Sequence, residues 1–314
     1  MNKFAKGAIA IVVIAAAGVV GTNWYLGKKM ETAIAKQQQK LAKEGLSFSY
    51  DDASVNVLSH SWTVKGIHFA DKEQGELFTI KAFTSDNYDL NSLPAHSVTE
   101  VTGLQFSPAA LANAPADLKD KLSKVSVHAR IESNYNSDKG TVSSNTLVDD
   151  KTLGELELNF NVSGAKPLME WAQAYSKKVD TDPQQLQLAQ QQLALEVVPK
   201  LQDLVINNIS LRLKDSGLID MYYQLNAMKT GRDKATMVKF LQPQITMNPI
   251  LTDKQRQSLQ AFIQGGNELT LKLAPTEKMT VGQIMKASFQ HRFHSNLELL
   301  HFLGVTLNGN GFAS

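Results

Sequence analysis

The pattern of polarity along the chain changes three times. Residues 7–26, GAIAIVVIAAAGVVGTNWYL, form an uncharged and mostly apolar run, with Lys3 and Lys6 before it and Lys28 and Lys29 after it. A helix rises about 1.5 Å per residue, so such a run spans about 30 Å, the hydrocarbon thickness of a bilayer. Residues 28–44 then carry Met30, Ile34 and Leu41 as a thin helical stripe on a Lys- and Gln-rich background, and Gly45 is placed to end that helix.

From Leu46 the period becomes two. Val55 and Val57 alternate with Ser54 and Asn56, and Trp62 and Val64 with Thr63 and Lys65. After Gly66 the apolar parity moves to Ile67 and Phe69, which predicts a bulge at the glycine. Phe78, Ile80 and Ala82 continue the strands, as does Val98 to Phe106, and an Ala- and Leu-rich helical stretch spans 108–124. The strictest alternation lies in 125–135 and 155–163, where Leu156, Leu158, Phe160 and Val162 interleave with Glu155, Glu157, Asn159 and Asn161. This pattern predicts antiparallel sheet with one face buried and one wet. Asp138-Lys139-Gly140 marks a turn before a strand at 141–149.

Beyond residue 164 helices dominate, predicted at 167–178, 183–200, 216–229, 232–242, 252–264 and 280–302. Thr252 is placed as an N-cap, Gly265-Gly266 as a stop, and Thr280 with Gln283 as a capping box. Strands are expected through Ile209, Leu211 and Leu213, through Leu269, Leu271 and Leu273, and through Val305 and Leu307. The fold class is therefore α+β: an N-terminal transmembrane helix and stalk, then an antiparallel body with a helical C-terminal third. The organisation reads as a cytoplasmic tail at 1–6, an anchor at 7–26, a helical stalk at 27–45, a mainly antiparallel β region at 46–164 and a mostly helical α+β region at 165–314.

The apolar run reads as a retained signal-anchor and not a cleaved signal peptide. It extends past Ala15-Ala16-Ala17 and Ala17-Gly18-Val19, the small-residue sites where cleavage would fall, to Trp24 and Tyr25, which suit the headgroup level. Lysines are more numerous after the span than before it, but the short basic tail has the layout of an anchor with its N-terminus in the cytoplasm and its body exported. Ala17 with Gly21 and Gly18 with Thr22 form small-x-x-x-small pairs, a weak signal for self-association, and a monomer is the preferred state.

Composition narrows the partners. With 32 basic and 30 acidic residues there is no global field for nucleic acid, and with no cysteine there is no thiol chemistry. His291, His294 and His301 fall on one side of the helix predicted at 280–302, but His301 is two turns from its neighbours and no nearby aspartate completes a metal set. The carboxylate pairs Asp51-Asp52 and Asp149-Asp150 lie at strand ends, where acids form turns. No Gly-x-Ser-x-Gly elbow, Ser-x-x-Lys, His-Glu-x-x-His or phosphate-cradling loop is present. The sequence therefore assigns no catalytic, cofactor-binding or metal-ligating residue.

The anchor, the Lys/Gln-rich stalk and the stretch GLSFSYDDASVNVLSHSWTVKGIHF at 45–69 resemble the YdgA-like group of bacterial periplasmic proteins, and more weakly the opening of AsmA-like envelope proteins. NISLRLKDSGLIDMYY at 208–223, NELTLKLAPTEKMTVGQIM at 267–285 and LGVTLNGN at 303–310 are similar to the C-terminal part of many such proteins. The chain is shorter than the first group's pattern and more helical at its end than the second's. The resemblance implies a single-pass inner-membrane protein with a periplasmic body and an envelope role, and no reaction. The expected function is a non-catalytic binding or scaffolding module for lipid or protein partners. The alternative is a periplasmic hydrolase whose site assembles from distant residues.

Overall fold

The computed structural model describes residues 45–310 except 57, 74, 88–93, 113, 180–195, 291, 292 and 294, together with 38, 39, 41 and 42. The apolar run at 7–26 and most of the stalk lie outside the described residues, as does the bulk of the helix expected at 183–200. Among the described residues no helix is long and apolar enough to cross a membrane.

The fold is mixed α and β with an antiparallel sheet. Its strands are β1 (Leu46–Ser49), β2 (Asp52–Asn56), β3 (Ser61–Asp71), β4 (Gly75–Asp86), β5 (His96–Phe106), β6 (Val127–Asn136), β7 (Thr141–Asp150), β8 (Gly154–Ser163), β9 (Val205–Asp215), β10 (Glu268–Leu273) and β11 (Thr306–Asn310). Hydrogen bonding orders them β1-β3-β4-β5-β6-β7-β8-β9-β10-β11, with β2 also paired to β3. The helices are α1 (Ala116–Ser123), α2 (Lys166–Val179), α3 (Leu218–Thr230), α4 (Lys234–Thr246), α5 (Asp253–Ile263), α6 (Val281–Phe289) and α7 (Asn296–Phe302), with a further helical stretch at 196–202. By the contacts of the described residues the chain divides into two compact units inside the β6–β7 hairpin: residues up to 133 with 148–152, and residues 134–147 with those from 153 on.

The first unit has the packed core. Cross-strand pairing sets Phe48 beside Phe69, Phe69 beside Phe78 and Phe78 beside Phe106. The ring centroids of Phe48 and Phe69 are 5.0 Å apart and those of Phe69 and Phe78 are 4.7 Å apart. Around this row Val64, Ile67, Ile80, Phe83 and Leu104 are buried in one cluster. Each such side chain contributes about 1.5–3 kcal/mol by leaving water. Leu41 joins the cluster, and Gln38 Nε2 donates to the Phe48 carbonyl at 2.9 Å. Leu41, one residue of the predicted stripe, therefore faces the folded body. Gly45 follows in the left-handed region at φ 79°.

Gly66 corrects one expectation. The β3–β4 register runs unbroken across it, from Lys65 opposite Ala82 to Ile67 opposite Ile80, and the register shift falls between Phe69 and Ala70. The change of apolar parity comes instead from backbone conformation. Gly66 (φ 58°) and Gly103 (φ 68°) both take left-handed values, and the two registers set each of them opposite Lys81. Parity changes along this line in all three strands, so Val64 and Phe83 before it and Ile67 and Ile80 after it reach the same core.

The second unit is packed differently. Among the described residues its fully buried apolar side chains are Ala165, Tyr223, Phe262, Ala287 and Leu307. Helix starts follow the expected local chemistry, since Thr252 and Thr280 each close a complete capping box with Gln255 and Gln283. The single helix expected over 280–302 is two. α6 stops at Phe289, and Ser295 begins α7 by accepting a hydrogen bond from the Glu298 N–H at 3.1 Å. Ser295-x-x-Glu298 is a start signal that the continuing apolar period of Phe289, Phe293, Leu297 and Leu300 conceals. α4 runs one turn past residue 242 and takes Pro243 inside its last turn.

Candidate binding face

In the second unit the strand registers align side chains into rows. On one face Leu156 lies beside Leu213 and Leu213 beside Leu269; Leu158 beside Leu211, Leu211 beside Leu271 and Leu271 beside Leu307; Phe160 beside Ile209 and Ile209 beside Leu273. Side chains paired across neighbouring strands stand on the same face, so these residues make one apolar grid across β8–β11. The grid is not sealed. α5 covers its β11 end, where a β-carbon on Gly309 would lie 2.7 Å from the Ser258 carbonyl oxygen and where Gln255 Nε2 donates to the Val305 carbonyl at 3.2 Å. Leu307 is buried there, whereas Leu271 is 40% exposed, Leu156 is 38% exposed and the rest of the grid is half-buried.

The opposite face carries a polar ladder. Arg212 Nε on β9 donates to Glu157 Oε2 at 3.1 Å, and the same guanidinium pairs with Glu155. Asn159 Nδ2 donates to Glu157 Oε1 at 2.9 Å, and Asn145 Nδ2 donates to that oxygen at 3.2 Å and to Asn159 Oδ1 at 2.5 Å. Asn207 Nδ2 donates to Asn161 Oδ1 at 2.6 Å. These bonds hold the Glu157 carboxyl below the ordinary glutamate range, first through Asn159 and then through the charge of Arg212 and the amide of Asn145. The polar side chains of β8 thus bond to each other and to Asn145 on β7 and Arg212 and Asn207 on β9, and that face is half-covered by its own ladder. One buried face and one wet face were expected of β8, but every residue of the strand other than Leu156 has intermediate exposure.

The first unit has a smaller version of the ladder. Arg130 on β6 pairs with Glu100 on β5 and with Glu132, and the hydrogen bond to Glu100 raises its pKa most. Tyr135, on the second unit's part of β6, has its phenol pKa raised by burial, with Glu170 adding to the effect.

The other residues singled out by sequence are dispersed. His291 and His294 lie outside the described residues, while His301 is exposed on α7. Asp150 is buried and accepts from the Ser126 N–H at 2.7 Å and the Thr152 N–H at 2.8 Å, the role of a turn former. Asp51 stands 3.9 Å from His68 Nε2, and His68 Nδ1 is 2.7 Å from Glu76 Oε1. Among the described residues no group of three or more His, Asp or Glu is placed to hold a metal ion.

A family model described as "Uncharacterized protein" matches residues 147–310, slightly more than half of the chain. The chain belongs to that family. No curated protein matches its sequence. The matched range contains all of β8–β11 and the helices between them, so the family's sequence pattern encompasses the apolar grid and the β8 and β9 members of the Arg212 ladder, with Asn145 just outside it.

Proposed function

We propose that this protein is a single-pass inner-membrane protein whose periplasmic body binds or scaffolds lipid or protein partners without catalysing a reaction. The observation that carries the reading is the partly open apolar grid of the second unit. Leaving leucines half in water forfeits about 25 cal/mol per Å² of apolar surface, and contiguous open apolar area of this kind is the usual mark of an interaction surface. The membrane location is supported by the apolar run at 7–26 with its basic flanks and by the resemblance to YdgA-like periplasmic proteins.

The test is to purify the full chain in a mild detergent and examine it by native mass spectrometry and by crosslinking. Bound lipid or a defined protein partner is expected, and Leu156→Asp with Leu271→Asp should remove it while leaving the fold intact. Absence of both ligand and partner, together with turnover abolished by a single side-chain change elsewhere, would overturn the proposal in favour of an enzyme.

A further inference from the structure

Helix α4 is apolar on two sides and buried on neither. Its inner side presents Met237, Val238, Leu241 and Ile245, all half-buried, and no residue of the helix is fully buried. Its outer side presents Phe240, Pro243 and Met247, spaced by three and four residues and therefore on one stripe. Phe240 is 54% exposed and Met247 is 80% exposed.

Basic side chains outnumber acidic ones beside this stripe. Arg232 sits with its guanidinium carbon 5.7 Å from the centre of the Phe240 ring, and Lys239 is exposed next to it. From Lys234 to Met247 there is no carboxylate. Asp233 accepts from the Thr236 N–H at 2.8 Å and lies within charge range of Lys239, and Asp220 pairs with Lys234 at 2.6 Å.

We infer that the outer face of α4 docks on an anionic phospholipid surface. Phe240 and Met247 enter the headgroup boundary, and Arg232 and Lys239 meet lipid phosphates. An exposed aromatic and an exposed methionine with basic charge in excess suit contact with anionic headgroups. A second copy of the same face would bring Arg232 and Lys239 against their own equivalents, so like charge opposes self-pairing. The inference rests on the membrane location proposed above and adds a second point of contact, on the body itself.

The chain has no cysteine, so single probes are specific. Full-length Phe240→Cys, Met247→Cys and Leu58→Cys proteins, each labelled with an environment-sensitive fluorophore, would be reconstituted into vesicles of phosphatidylethanolamine and phosphatidylglycerol containing doxyl-labelled lipid. Leu58 is 98% exposed in the first unit and serves as the reference. Quenching at 240 and 247 well above that at 58 is expected, with loss of the excess when phosphatidylcholine replaces phosphatidylglycerol or when Arg232→Glu and Lys239→Glu are introduced. Quenching at 240 and 247 no greater than at 58 would overturn the inference. So would disulfide-linked dimers of unlabelled Phe240→Cys without quenching, which would assign the face to a second copy. Extraction of the protein by alkaline carbonate would refute the anchor alone, because quenching in the vesicles before extraction decides the helix face separately.

Discussion

Gly66 on β3 lies so close to Asp51 that a β-carbon on the glycine would stand 1.9 Å from Asp51 Oδ2 and 2.9 Å from the aspartate's own β-carbon. Asp51 is held there by its backbone, whose N–H donates to the Lys65 carbonyl at 3.0 Å where β3 passes from pairing with β2 to pairing with β1. Both space and a left-handed φ of 58° therefore demand glycine. Gly66→Ala is expected to cost about 1–2 kcal/mol from the backbone conformation alone, with the clash adding to it. Urea unfolding followed by tryptophan fluorescence would report this, and Asp51→Gly in the same chain, which removes the opposing β-carbon as well, should recover only the clash. Full recovery would show that the conformation itself costs nothing.

Packing predicts a contrast between the units. Phe78 is 1% exposed in the core of the first unit, so Phe78→Ala should cost about 3–5 kcal/mol. Leu271 is 40% exposed, and Leu271→Ser should cost well under that, about 1 kcal/mol or less. Equal shifts in the unfolding midpoints would mean that the grid is sealed in solution.

The ladder predicts an acid dependence. The folded pKa of Glu157 is lowered, so its contribution is fully present above the ordinary glutamate range and is lost as pH falls through the folded value. Wild-type stability should therefore decline more steeply than that of Glu157→Gln on acidification below about pH 5. Arg212 is 40% exposed, so Arg212→Met should cost at most about 1 kcal/mol at neutral pH. Parallel pH profiles for wild type and Glu157→Gln would contradict the ladder.

The break between α6 and α7 depends on a cap. Ser295→Ala should destabilise α7 by about 1 kcal/mol, and Thr280→Ala should act on α6 by a similar amount. Amide hydrogen exchange resolves the two, because each substitution should raise exchange in its own helix. Increased exchange across both helices from either change would indicate one continuous helix.

Leu41 is 7% exposed within the core of the first unit. A single cysteine there should resist both alkylation and oxidative dimerisation until the protein unfolds, and Leu41→Asp should lower the unfolding midpoint strongly. Rapid disulfide-linked dimers of Leu41→Cys would place the residue on a self-association seam instead.

The elements of this protein were legible in its sequence because their signals are local. Period-two alternation marked β6 and β8, the N-cap Thr252 marked the start of α5 and threonine-to-glutamine spacing that of α6, all within a few residues of chain. Other features arise only when distant residues are set side by side. Pairing Gly66 and Gly103 with Lys81 requires three strands in register, and that line lets the core cross a change of parity without a bulge. Arg212 meets Glu157 and Asn145 only after β7, β8 and β9 align, since sequence reports that these positions are polar but not which partner each receives. The open face of the grid is decided by where the helices pack, because alternation shows that a strand has an apolar side and leaves unstated whether another element covers it.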